Sequence, residues 1–109
     1  MNNTLHGTVT VKLGDEEFTL RPTLKAVRAI ESRFGGLRGA SGALHAVGVD
    51  AVAFIIAAGA GLEEKAAEAL PEKVWQEGVA GLTPPVTRYL GALYNPRGGD
   101  PGNDQAGTA

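Results

Sequence analysis

Two histidines are the only side chains in this 109-residue chain whose ordinary pKa suits proton transfer near neutral pH. His6 precedes the first strand-like run, and His45 lies in a stretch rich in glycine and alanine. Neither belongs to an H-x-x-x-H or comparable metal-binding spacing, so both read as surface histidines. Ser32 and Ser41 lie outside any G-x-S-x-G turn, and Ser41 reads more simply as a helix cap. The glycines at 35, 36, 39 and 42 could suggest a phosphate cradle. A P-loop, however, needs G-x-x-x-x-G-K-[ST] between a strand and a helix, and this stretch follows a helix and has no such lysine; a flexible inter-helix loop is expected. Adjacent carboxylates occur at Glu16-Glu17 and Glu63-Glu64, but neighbours on an exposed strand or helix point apart and do not converge on a substrate. With no cysteine, thiol catalysis and thiolate zinc sites are excluded, and a reducing compartment fits. The reading is a non-enzyme, with no catalytic, cofactor-binding or metal-ligating residues.

The remaining pattern is one of scaffold. Val9, Val11 and Leu13 alternate with Thr8, Thr10 and Lys12, and Gly14-Asp15 suits a two-residue hairpin turn. That turn pairs Leu13 with Glu16, Lys12 with Glu17, Val11 with Phe18, Thr10 with Thr19 and Val9 with Leu20. The apolar side chains then share one face, and a Lys12–Glu17 pair stabilises the other. Pro22 ends the second strand and Thr23 caps a helix with Leu24, Val27, Ile30 and Phe34 inward, closed by Gly35-Gly36. A short helix is expected around residues 40–46. Asp50 reads as the cap of a helix over residues 51–60, apolar all round and therefore central, with Gly59 and Gly61 ending it. Residues 62–69 read as an acidic surface helix with Leu62, Ala66 and Ala69 on one side, ended where Leu70 meets Pro71. A helix from Pro71 to Ala80 stops at Gly81, and Thr83-Pro84 starts a last one bearing Val86, Tyr89, Leu90 and Leu93.

The expected fold class is α+β: an N-terminal hairpin on a bundle of four to five short helices, forming one domain over residues 1–94. Residues 95–109 hold four glycines and two prolines and are expected to form a disordered tail. The N-terminus lacks the pattern of a signal peptide, and the uncharged run from Ala51 to Leu62 is too short to cross a bilayer, so a soluble protein without membrane association is expected. A net charge of −2 argues against general nucleic-acid binding.

Charge is unevenly placed. Residues 21–38 carry a net +4 and residues 62–80 a net −3. Lys25 and Arg28 line the polar side of the first helix, as a docking face for an acidic partner or for self-association would require. The alternatives are two solvated faces, or an intramolecular match between them. Trp75 and Tyr89 are the candidate aromatic anchors of an interface, with Val79 on the same side of its helix as Trp75. Trp75 could instead fill the core against Phe34 or Phe54.

The run from Val9 to Leu24, followed by Ala29-Ile30-Glu31, the glycine-rich link, the stretch from Ile55 to Gly61 and two closing helices, resembles small proteins of phage tail and gene transfer agent gene clusters. The resemblance covers roughly residues 7–94. Members of this family are described as tail assembly chaperones and also as tail tube proteins. The resemblance implies a cytoplasmic chaperone, made in the bacterial host, that binds the tape measure protein during tail morphogenesis, with the tail tube protein as a second candidate partner. A minor tail or connector component of the particle is the alternative. A tube subunit needs long strands joined edge to edge, for which a single hairpin leaves too little strand.

Overall fold

A computed structural model describes residues 8–46 and 48–95. In chain order the elements are β1 (Val9–Leu13), β2 (Glu16–Leu20), α1 (Leu24–Phe34), α2 (Leu37–His45), α3 (Val49–Ala60), α4 (Glu64–Glu68), α5 (Leu70–Glu77) and α6 (Val79–Leu93). The fold is α+β, and the six helical segments among the described residues exceed the expected four to five, the shortest being the single-turn α4. His6 and the tail beyond Asn95 lie outside the described residues.

The hairpin has the expected register, from Leu13 opposite Glu16 to Val9 opposite Leu20. Gly14 turns with φ +65°, and Val11, Leu13 and Leu20 are buried, with Val9 and Phe18 half-buried beside them. One detail differs. Lys12 stands opposite Glu17 without forming an ion pair; two exposed, flexible chains gain little by fixing one geometry. The hairpin tip is instead tied to α5. Lys73 Nζ meets Glu16 Oε1 at 2.6 Å, and the Gly14 N–H donates to Glu77 Oε1 at 2.9 Å.

The α3 helix is the hub, packing on β2 and on each of the other five helices. Its sequence requires this position: Val52, Ala53, Ile55, Ile56 and Ala57 are all buried, and no single side is polar enough to face water throughout. The start differs from expectation by a turn's first residues. Gly48 is the cap and Asp50 lies inside the first turn, where its carboxylate still favours the positive end of the helix dipole without a capping hydrogen bond. Gly59 does not end the helix. It lies buried within it because a Cβ there would stand 2.9 Å from the Tyr89 ring and 3.0 Å from Leu20 Cβ. Gly59→Ala is therefore expected to destabilise the fold by about 1–3 kcal/mol through overpacking, despite the better helix propensity of alanine. A raised denaturation midpoint for that variant would contradict the close approach.

Helix α1 follows its signals, with Thr23 Oγ1 accepting from the Ala26 N–H at 3.0 Å and Gly35 closing the helix at φ +85°. Its inner face is shifted: Ala26 and Ile30 are buried, whereas Leu24 is 61% exposed. The glycine-rich stretch is no loop. Gly35 and Gly36 make a tight corner and α2 begins at Leu37, with Ser41 inside the helix rather than capping it. Gly39 allows this corner, because a Cβ there would lie 1.9 Å from the Phe34 carbonyl oxygen.

The C-terminal third departs most from expectation. Leu70 is already helical, with Pro71 following in the first turn of α5. In α4, Ala67 is half-buried while Ala66, and Ala69 just past the helix, are exposed. Helix α5 stops at Gly78, φ +109°, not at Gly81, and α6 runs through Pro84 and Pro85. Those prolines cannot donate to the carbonyls four residues back. The cost is contained because Ala80 and Gly81, whose carbonyls lose those donors, are exposed residues.

Candidate functional site

Of the candidate aromatic anchors, one lies outside and one inside. Trp75 is 67% exposed on α5, so it does not fill the core against Phe34 or Phe54. Those two rings pack on each other edge to face, with centroids 5.7 Å apart, and the Arg33 guanidinium lies 5.0 Å from the Phe54 centroid. The inner side of α5 is supplied by Leu70 and Val74, which leaves the next residue, Trp75, turned outward.

Tyr89 is fully buried on α6 and cannot be a surface anchor. Its ring lies against Gly59, and its hydroxyl donates to the Arg21 carbonyl at 2.6 Å. The Arg21 N–H in turn donates to the Gly59 carbonyl at 3.0 Å, so Tyr89 closes the joint between β2, α3 and α6. Burial pushes its phenol up to about 12, from 10.0. The folded protein therefore holds this proton more tightly than the unfolded chain. The stability contributed by the neutral phenol is intact below pH 10 and is lost as the pH rises through about 12. An alkaline titration should show the Tyr89 phenolate absorbing only as the fold is lost; ionisation near 10 in folded protein would contradict the burial. The Tyr94 phenol is raised as well, by burial first and then by the Glu31 carboxylate, which its hydroxyl meets at 3.3 Å.

Val79 is half-buried and belongs to α6, past the break at Gly78, so it does not share a helix side with Trp75. Lys25 and Arg28 are exposed on α1, as expected. Among the described residues, Lys73–Glu16 is the ion pair formed, so the basic segment of α1 and the acidic segment of α4 and α5 do not neutralise each other by direct contact. They are nonetheless brought together. An open groove of about 570 Å³ is floored by Ala53, Phe54, Ala57 and Leu62, with Asp50 of the first turn of α3 also in its lining. Lys25 and Arg33 of α1 stand on one side of it, and Glu64 and Glu68 of α4 on the other. Both helices pack on α3 and make no comparable contact with each other, which is why a groove remains between them. Pro71 closes one part of the lining, and Trp75 lies one helical turn further along α5 from it. Arg28 is not part of the lining.

Sequence reasoning missed Arg33, Glu64 and Glu68 as members of one site. A weak signal existed: Lys25, Ala29 and Arg33 recur every four residues, marking one stripe of α1. Nothing local reveals that α4 would face that stripe across the alanines of α3. His45 is exposed, its Nδ1 3.0 Å from the Ser41 carbonyl of the preceding turn. No group of three or more His, Asp or Glu side chains is placed to hold a metal among the described residues, and no described helix is long and apolar enough to cross a membrane.

Fold and site together define a small α+β domain that presents an exposed tryptophan on α5 and, between α1 and α4, an apolar-floored groove with rims of opposite charge. Comparison with protein-family models, with curated proteins and with solved structures gave no match to this chain.

Proposed function

We propose that this chain is a protein-binding adaptor of the tail assembly chaperone type, which holds the tape measure protein before the tail tube polymerises around it. The observation that carries the reading is Trp75, the chain's single tryptophan, held 67% exposed on a well-anchored helix. A large aromatic side chain kept in water gains most when a partner covers it, and such residues are enriched among interface hot spots. The small two-stranded sheet supports an adaptor over a tube subunit, because edge-to-edge rings need longer strands. The resemblance of residues 7–94 to tail-cluster proteins supplies the identity of the partner. Co-expression tests this: tape measure segments encoded beside the gene should remain in the supernatant and co-purify with the tagged chain. Tape measure segments that aggregate equally with and without the chain would count against the chaperone role.

A further inference from the structure

The groove between α1 and α4 is lined in a way that selects among kinds of ligand. Its floor is apolar apart from Asp50, exposed in the first turn of α3, and among the described residues no buried charged side chain is there to orient a small molecule, the one buried phenol, Tyr89, being bonded to the Arg21 carbonyl. Its lining residues come from helices and the turns between them, so no strand edge is offered for an extended peptide to join. Lys25, Ala29 and Arg33 run along one wall over two turns, about 12 Å at the helical rise. That length matches apolar anchors at positions i, i+3 or i+4, and i+7 of an incoming helix.

The rims decide the rest. Lys25 and Arg33 face Glu64 and Glu68 across the floor without an ion pair between them. We infer that the groove docks an amphipathic helix of a partner protein whose apolar stripe is flanked by acidic residues on one side and basic residues on the other. The acidic flank lies along α1 and the basic flank along α4. Turning such a helix end for end would put each flank against a rim of its own sign, so the two rims also fix the direction in which it lies. A helix with two acidic or two basic flanks meets a like-charged rim in either direction. This inference rests on the reading of the chain as a protein-binding adaptor and does not depend on which protein is bound.

The test uses three synthetic helical peptides of about 20 residues, long enough to be helical alone, without tryptophan and with one shared leucine stripe. One carries opposite flanks, one two acidic flanks and one two basic flanks. Binding to the full chain is read from the emission of Trp75, one turn beyond Pro71, and from calorimetry. The opposite-flank peptide should bind about tenfold more tightly than either of the others, and the difference should shrink as salt is raised. Two exposed residues without ion-pair partners allow a charge swap: in Glu64→Lys/Glu68→Lys the preference should pass to the peptide with two acidic flanks. Ala58→Trp, which fills the groove from α3, should abolish binding of all three peptides.

Failure of every peptide to bind would overturn the groove as a helix site, while leaving tape measure capture through Trp75 testable by co-purification. Equal affinities, an unchanged order in the charge-swap variant, or binding that survives Ala58→Trp would overturn it too. Sedimentation covers the remaining occupant. A dimer of the wild-type chain that dissociates in the charge-swap variant would assign the groove to a second copy and overturn the partner-helix inference.

Discussion

Ile55→Ala and Ile56→Ala are each expected to lower the free energy of unfolding by about 2–5 kcal/mol. Both side chains are fully buried in α3, the helix on which β2 and the other five helices pack. Removing either leaves a cavity that no single neighbour can collapse into, since the hairpin, α5 and α6 are also fixed to one another and α2 ties α1 to α6. For a domain with about 5–15 kcal/mol of stability, a loss of this size shifts the denaturation midpoint far, and at its upper end unfolds the protein. Leu24→Ala provides the contrast, because Leu24 is 61% exposed and its truncation should change stability by no more than about 0.5 kcal/mol. A midpoint unchanged in both isoleucine variants would show that α3 is not the centre of the fold.

Trp75→Ala is expected to do the reverse. With 67% of its surface in water, Trp75 contributes little to the core, and alanine is the better helix former in the exposed part of α5. Stability should stay within about 0.5 kcal/mol of the wild type. Partner binding should fall by about 2 kcal/mol or more, roughly thirtyfold in dissociation constant, as for a truncated aromatic hot spot. Loss of fold in this variant would place the residue in the core after all. Retained fold with undiminished capture of the partner would remove Trp75 from the interface. Tyr89 cannot substitute for it, because its ring is sealed beneath α6 with the hydroxyl committed to the Arg21 carbonyl.

What was legible in the sequence followed from local rules with one solution. The alternation of Val9, Val11 and Leu13 against Phe18 and Leu20 admits one hairpin register, because a slip of one residue would turn every apolar side chain to water. Thr23 and Gly35 bracket α1 through cap chemistry that needs no tertiary partner. The apolar composition of residues 51–60 allowed only a buried helix. Reading failed where tertiary contacts decide between local options. Gly78 and Gly81 are equally good helix stops by type, and the extended inner face of α6, with Leu82 and Val86 buried, chose the earlier one. Pro84 and Pro85 suggest a helix start, yet the carbonyls they leave without donors belong to exposed residues, so the helix passes through them. Trp75 and Tyr89 both read as amphipathic aromatics. The first lost its inner position to Val74, and the second gained one because Gly59 makes room for a ring. The groove lay beyond sequence reading for a related reason. Its two rims are some 40 residues apart in the chain and meet only because α1 and α4 both pack on α3.

The most direct test of the proposed role is the emission of Trp75 in monomeric protein, titrated with a purified tape measure segment. The free protein should emit at the red end of the tryptophan range, as a solvated indole does, and the emission should move blue and saturate with the segment. The shift should disappear when a segment that fails to co-purify is added instead. A blue-shifted tryptophan in the free monomer, or red emission that no tape measure segment alters, would contradict a partner site built around Trp75.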